Sequence, residues 1–237
     1  VTSSPVMDNR PVWSPDGVRL AFESYADGPT GDLYQVSINA PERRERLVST
    51  PHAKFPSDWS RDGRFVLYDE NHPQTGLDVW AVPVAGDRTP FPLVVTSADE
   101  LGGQLSPDGA WLAYASNESG RFEVYVQAFP GPGGKIAVST SGGSQPRWSP
   151  DGRELFFIAA DDGLTSVRME PGSDGRPVER GATTRLFTAH VGALGAFDGQ
   201  QYSVSRDGRR FLVGTVTGES TTPPIGVLLN WRPAVTK

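Results

Sequence analysis

No cysteine occurs in the 237 residues. Disulfides and thiolate metal sites are therefore excluded, and no redox compartment is indicated. No apolar run approaches the roughly eighteen residues of a membrane-spanning helix, so membrane insertion by this chain is not expected. No basic run is longer than Arg43-Arg44 and the formal net charge is −6, which argues against the electrostatic footprint of a nucleic-acid binder. The three histidines, His52, His72 and His190, share no ligand spacing, so no metal site is expected, and nothing calls for a cofactor. No segment keeps a helical period beyond a turn or two. The chain begins Val1-Thr2-Ser3, without a Met or a signal peptide, and reads as a processed product or a piece of a longer protein.

Glycine and proline, by contrast, are plentiful, with 27 and 21 copies spread at regular intervals. They act as turn punctuation and do not form a disordered tract. The clearest case is Ser14-Pro15-Asp16-Gly17. It returns as Ser60-Arg61-Asp62-Gly63, Ser106-Pro107-Asp108-Gly109, Ser149-Pro150-Asp151-Gly152 and Ser205-Arg206-Asp207-Gly208, at intervals of 46, 46, 43 and 56 residues. Ser, Pro, Asp and Gly in this order suit a type I turn, with Gly free to take positive φ as the chain leaves. Each copy thus marks a hairpin. An aspartate required in every repeat is expected to cap its own turn through a local hydrogen bond, not to hold a metal.

Short β-rich runs surround each turn. Pro11-Val12-Trp13, Pro56 to Trp59, Gly103-Gln104-Leu105, Pro146-Arg147-Trp148 and Tyr202-Ser203-Val204 precede it. Arg19 to Phe22, Phe65 to Tyr68, Trp111 to Tyr114, Leu155 to Ile158 and Phe211 to Val213 follow it. A third strand alternates apolar and polar residues, as a half-buried strand should, with Leu33, Val79, Val124 and Val126 on one side. A weaker fourth strand closes each unit: Arg46 to Val48, Pro92 to Val95, Ile136 to Val138 and Arg185 to Phe187. Four antiparallel strands at this period predict an all-β propeller of one domain, residues 1–237, with five recognisable blades, as a five-bladed ring or part of a larger one. The repeated Trp is expected to pack between blades. Residues Glu170 to Thr184 read as a long turn, and Val1 to Ser4 as an outer strand that, if the ring closes at five blades, completes the last blade against Ile225 to Trp231.

These features resemble the TolB-like propeller repeat, a relative of the WD repeat. The matching residues are Pro11 to Gly17, Gln145 to Gly152 and strands such as Asp32-Leu33-Tyr34, and the likeness runs over nearly the whole chain. A narrower resemblance joins Gly120 to Val126, Phe129 to Lys135 and Pro223 to Trp231 to the C-terminal propeller region of bacterial eukaryotic-like Ser/Thr protein kinases. It implies the C-terminal part of a signalling protein, lying in the periplasm or otherwise outside the cytoplasm where a membrane span separates kinase and propeller. No kinase motif is present, so kinase activity transfers to no residue of this chain.

No Gly-x-Ser-x-Gly elbow exists either, which argues against a prolyl-oligopeptidase-type hydrolase. The non-repeating loops therefore become the candidate binding face, because function concentrates in loops on a rigid scaffold. Arg10, Lys54, His72, Glu100 and His190 belong to that face, and Asp58, Gln104 and Arg147 precede the strand-one aromatic and are expected to line the channel. The expected role is non-catalytic binding of a protein, peptide or small ligand by a monomeric domain. Two alternatives stay open: a lactonase- or glycosidase-like propeller using Asp58 with Glu100 or Asp99, and a TolB-like periplasmic protein-binding scaffold.

Overall fold

The computed structural model describes residues 6–131, 133–170, 179–191, 199–215 and 225–228. Among them every regular element is a strand. The first blade is β1 (Asp8–Trp13), β2 (Arg19–Ser24), β3 (Asp32–Ser37) and β4 (Ala40–Val48), and the second is β5 (Lys54–Trp59), β6 (Phe65–His72), β7 (Gly76–Pro83) and β8 (Phe91–Val94). The third is β9 (Glu100–Leu105), β10 (Trp111–Ser116), β11 (Glu123–Ala128) and β12 (Lys135–Ala137). The fourth is β13 (Gly143–Trp148), β14 (Glu154–Ala159), β15 (Gly163–Glu170) and β16 (Glu179–Thr188), and the fifth is β17 (Tyr202–Val204), β18 (Phe211–Gly214) and β19 (Ile225–Leu228). Strands pair in sequence order within each blade, giving four four-stranded sheets and one of three strands. The expected pairing of Val1 to Ser4 with the last blade lies outside the described residues.

The repeated turn forms for local reasons. In the first copy the Ser14 N–H donates to the Arg19 carbonyl (2.9 Å), and the Arg19 N–H returns a bond to Ser14 Oγ (2.8 Å). Asp16 Oδ1 accepts the Val18 N–H at 3.1 Å as well as the Ser14 hydroxyl. The same arrangement holds Asp62, Asp108, Asp151 and Asp207. Gly17, Gly63, Gly109, Gly152 and Gly208 all adopt φ between +69° and +75°, the left-handed region that other residues enter only with strain. Neighbouring turns also touch: a Cβ at Gly152 or Gly208 would sit 3.4 Å from the Pro107 or Pro150 ring. Arg61 Nη1 donates to the Pro150 carbonyl at 2.5 Å. That bond joins the turns of the second and fourth blades.

The core lies between blades, where each sheet faces the next. Trp59 packs with Leu33, Leu47 and Val48 of the first blade and Val66 and Tyr68 of its own, and Trp148 bridges the third and fourth blades in the same way. Both are about 95% buried, whereas Trp13 is 54% exposed and joins none of these clusters. Packing between blades therefore explains two of the repeated tryptophans and not the first. The third strands also depart from expectation. Leu33, Val79, Val124 and Val126 are fully buried, but so are their alternates Tyr34, Asp78 and Tyr125. A middle strand in a propeller is covered on both faces by its neighbours, and only the polar alternation had suggested a wet side. In the fourth blade β16 starts at Glu179, with Glu170 opposite Glu179 and Met169 opposite Arg180. Strands thus occupy the positions from Glu179 to Thr184 that had been read as turn.

Candidate functional site

The innermost strands carry an irregularity that the strand pattern did not announce. Asn9 faces Glu23 and Val12 faces Ala21, so Arg10 and Pro11 together oppose one residue of β2. Ser57 is the extra residue in β5. Gly102 and Gly103 share one place in β9, and Gln145 and Pro146 share one in β13. Such bulges bend a strand and re-aim its side chains. Three bulge residues have positive φ: Arg10 at 52°, Gly102 at 69° and Gln145 at 55°. An arginine and a glutamine in this region carry backbone strain, which tends to gather where a site needs a fixed geometry. Gly103 is required for space instead, since a Cβ there would lie 2.5 Å from Val79.

The bulges converge on the axis. They line a cavity of about 290 Å3, with Arg10 and Pro11 from the first blade, Ser57 and Asp69 from the second, Gly102 from the third, Gln145 and Arg147 from the fourth and Gln200 before the fifth. Arg10 also stacks on the Phe55 ring, its guanidinium carbon 4.4 Å from the centroid, a favourable cation–π arrangement. No residue of the repeated turns belongs to the cavity lining.

Several wall residues hold neighbouring blades together. Asp58 Oδ2 accepts the Leu105 N–H at 3.0 Å, and Gln104 Oε1 accepts the Trp148 N–H at 2.6 Å. Asp69 accepts the Gly102 N–H with both oxygens, at 3.1 and 3.0 Å. Gln145 exchanges two bonds with Gln201, and its carbonyl accepts the Tyr202 hydroxyl at 2.9 Å. Burial pushes Asp58 up to about 6, against the pull of Arg147 and the Leu105 N–H. Burial likewise pushes Asp69 up to about 7, against its bonds from Gly102 and the charge of Arg10.

The expected binding residues thus separate into groups. Arg10 and Arg147 share the cavity wall. Asp58 and Gln104 stand beside it, turned to the following blade. Lys54 and Glu100 require correction, because both are fully buried and cannot meet a ligand from solvent. Lys54 Nζ donates to Asp32 Oδ1 (3.0 Å) and to the carbonyls of Thr50 (3.0 Å) and His52 (2.6 Å). Glu100 accepts the hydroxyls of Thr96 (2.6 Å) and Ser116 (3.1 Å). His72 is half-buried at the far end of β6, its ring edge-on to His52 at 4.4 Å. His190 is exposed, with φ of 55°. Neither histidine lines the cavity. The catalytic pairing of Asp58 with Glu100 or Asp99 is not assembled, since Asp99 bonds the Leu77 N–H and the Asn117 amide instead. Sequence reading missed Ser57, Asp69, Gln145 and Gln200. The available signal was the residue pair two and three places before each Trp, a position where β-alternation breaks.

Comparison with known proteins agrees with this architecture. The family model described as TolB beta propeller domain matches residues 1–176. A curated, uncharacterized protein of Agrobacterium fabrum is 27% identical over 188 residues, covering 77% of this chain and 58% of that protein. The crystal structure of TolB from Acinetobacter baumannii superposes with a TM-score of 0.70 at 16% identity, over 95% of this chain and 52% of that one. A puromycin-hydrolyzing peptidase of Mycobacterium tuberculosis superposes at 0.62 with 15% identity, over 96% of this chain and 37% of its own. At these identities the two structures speak for the fold alone. The chain spans about half to three-fifths of the length of the first two relatives.

Proposed function

The chain belongs to the TolB β-propeller domain family, and from that premise we propose that it is a non-catalytic interaction module, taking a protein, peptide or small ligand at the loop end of its channel. The observation that carries this reading is the cavity itself. Bulge residues of four blades and Gln200 from the loop before the fifth meet there, with two arginines in the wall. Replacing Arg10 and Arg147 together with alanine should abolish capture of a partner. The pair Arg64→Ala and Arg153→Ala, on the turn face, should leave capture intact. Equal loss from both pairs would place the contact elsewhere.

A wider role follows from the segments Gly120 to Lys135 and Pro223 to Trp231. Their resemblance to kinase-linked propellers supports a place in a bacterial signalling protein, with the propeller outside the cytoplasm. Fusion of a reporter that folds only after export would test the location.

A hydrolytic reading stands second. It is favoured by the raised carboxylates Asp58 and Asp69, since a glycosidase needs one carboxyl protonated and one ionised. Both already accept backbone N–H groups of the next blade, which suits a structural role better. Turnover on a panel of lactones and glycosides, lost in Asp69→Asn, would reverse the order.

A further inference from the structure

Two donors in the channel are left unused by the fold. Among the described residues Arg147 makes no hydrogen bond and no ion pair, and the Asp58 carboxylate acts on it only through space. Its planar guanidinium presents five N–H donors in a fork that matches a carboxylate. Ser57 Oγ, from the bulge of a non-adjacent blade, lies buried in the wall of the same cavity without a partner. A buried hydroxyl without a partner is costly and needs an explanation; Arg147, by contrast, is half-buried and open to the cavity.

Charge points the same way. The cavity lining holds Arg10 and Arg147 against one carboxylate, Asp69. That carboxylate is bonded through both oxygens to Gly102, and burial keeps it partly protonated near neutral pH. Two guanidinium groups thus reach the cavity of a chain with formal net charge −6, with Asp58 beside Arg147. Beside the arginines the wall is apolar, with Val12, Pro56 and Leu101. The volume, about 290 Å3, is at the small end for ligand pockets. A cavity of this size suits a chain end or a small molecule.

We propose that Arg147 is a carboxylate receptor, gripping the group through two parallel N–H bonds while Ser57 adds a third donor and an apolar substituent rests against Val12 and Leu101. The inference rests on the channel being the binding site and names what it binds. The carboxylate has two possible sources, the C-terminal end of a polypeptide or a free organic acid.

The test is a titration of the full chain followed by NMR at the arginine Nε–Hε groups, with Arg147 assigned from Arg147→Lys. The probes are N-acetyl-Ala-Leu-Ala as the free acid, the same peptide as its C-terminal amide, and succinate. The free acid should shift the Arg147 signal saturably, and the amide should bind at least tenfold more weakly. Arg147→Met should remove the response in a chain that still folds, with Asp58 deprived of the charge beside it. Ser57→Ala should weaken binding a few-fold, and raising salt from 0.05 to about 0.5 M should weaken it further. Succinate binding alone would retain the carboxylate receptor and overturn the peptide reading of the channel. Equal binding of acid and amide, with shifts at the channel rim, would overturn the receptor and retain the peptide reading. No response of Arg147 to any of the three probes would overturn the receptor.

Discussion

The two ends of the propeller differ in how they use their polar groups. At the turn end one tetrapeptide serves all five blades, and its Ser and Asp oxygens bond the backbone within five residues. At the loop end the bulges carry Arg10, Ser57, Gly102 and Gln145 in successive blades, and the bonds run to other blades or are not made. Repetition therefore marks positions that build the backbone. Variation on a repeated backbone marks positions free to meet a ligand. A residue can violate this rule in one way, by varying because it ties two particular blades together, and Lys54 is that case.

The sharpest break of the comparison is at Lys54. Lys54→Ala leaves Asp32 buried with only the more distant Arg46 at 3.6 Å, and should cost roughly 3–5 kcal/mol in urea unfolding. A cost below about 1 kcal/mol would return Lys54 to the ligand-facing group. Next are the tryptophans. Trp148→Ala should cost about 3–5 kcal/mol by emptying the space between two blades. Trp13→Ala, at 54% exposure, should cost well under half as much, and equal losses would mean that Trp13 is covered in solution. Smaller still is Gly17→Ala, about 1–2 kcal/mol from the left-handed backbone alone, since nothing lies within 4 Å of the added Cβ. An unchanged melting temperature would deny the turn its stated geometry.

The smallest effect separates the ends by pH. Ser14, Ser149 and Ser205 hold Asp16, Asp151 and Asp207 below the usual carboxylate range, and Asp62 is lowered by Arg64 and Ser60 in spite of burial. Their contribution is present above about pH 4, the unfolded value, and is lost as pH falls through the lower folded values. Asp58 and Asp69 run the other way. Folded, they keep protons up to about 6 and 7, whereas the unfolded chain releases them near 4. The folded state binds more protons in that window, so stability rises as pH falls from 7 to 5. Melting temperature should peak near pH 4–5. Asp58→Asn with Asp69→Asn should flatten the upper limb only, and a wild-type curve without that limb would show both carboxylates ionised in the fold.

What could be read from the chain follows from range. Ser14 to Gly17 and its copies were legible because the Ser and Asp bonds that shape them are local. The strands were legible because Phe, Tyr, Trp and Val cluster between those turns. Burial of Lys54 was not, because its partner Asp32 is 22 residues away and a lysine before a strand ordinarily snorkels to water. Asp69 was missed because it follows the apolar run Phe65 to Tyr68, and its partner is the backbone of another blade. Arg10 and Arg147 were singled out from the chain, yet the bulges that bring them to one cavity depend on strand register, which composition does not encode.

Those bulges have a consequence for how such a protein can change. Each inserts its surplus residue on the innermost strand and returns to register before the turn, so the outer three strands need not respond. A substitution at Arg10, Ser57, Gly102 or Gln145 can alter one contact point while the blade that carries it stays in step. The channel is then a set of separately editable contacts on a constant frame, and relatives that differ there could diverge in what they hold without first relearning how to fold.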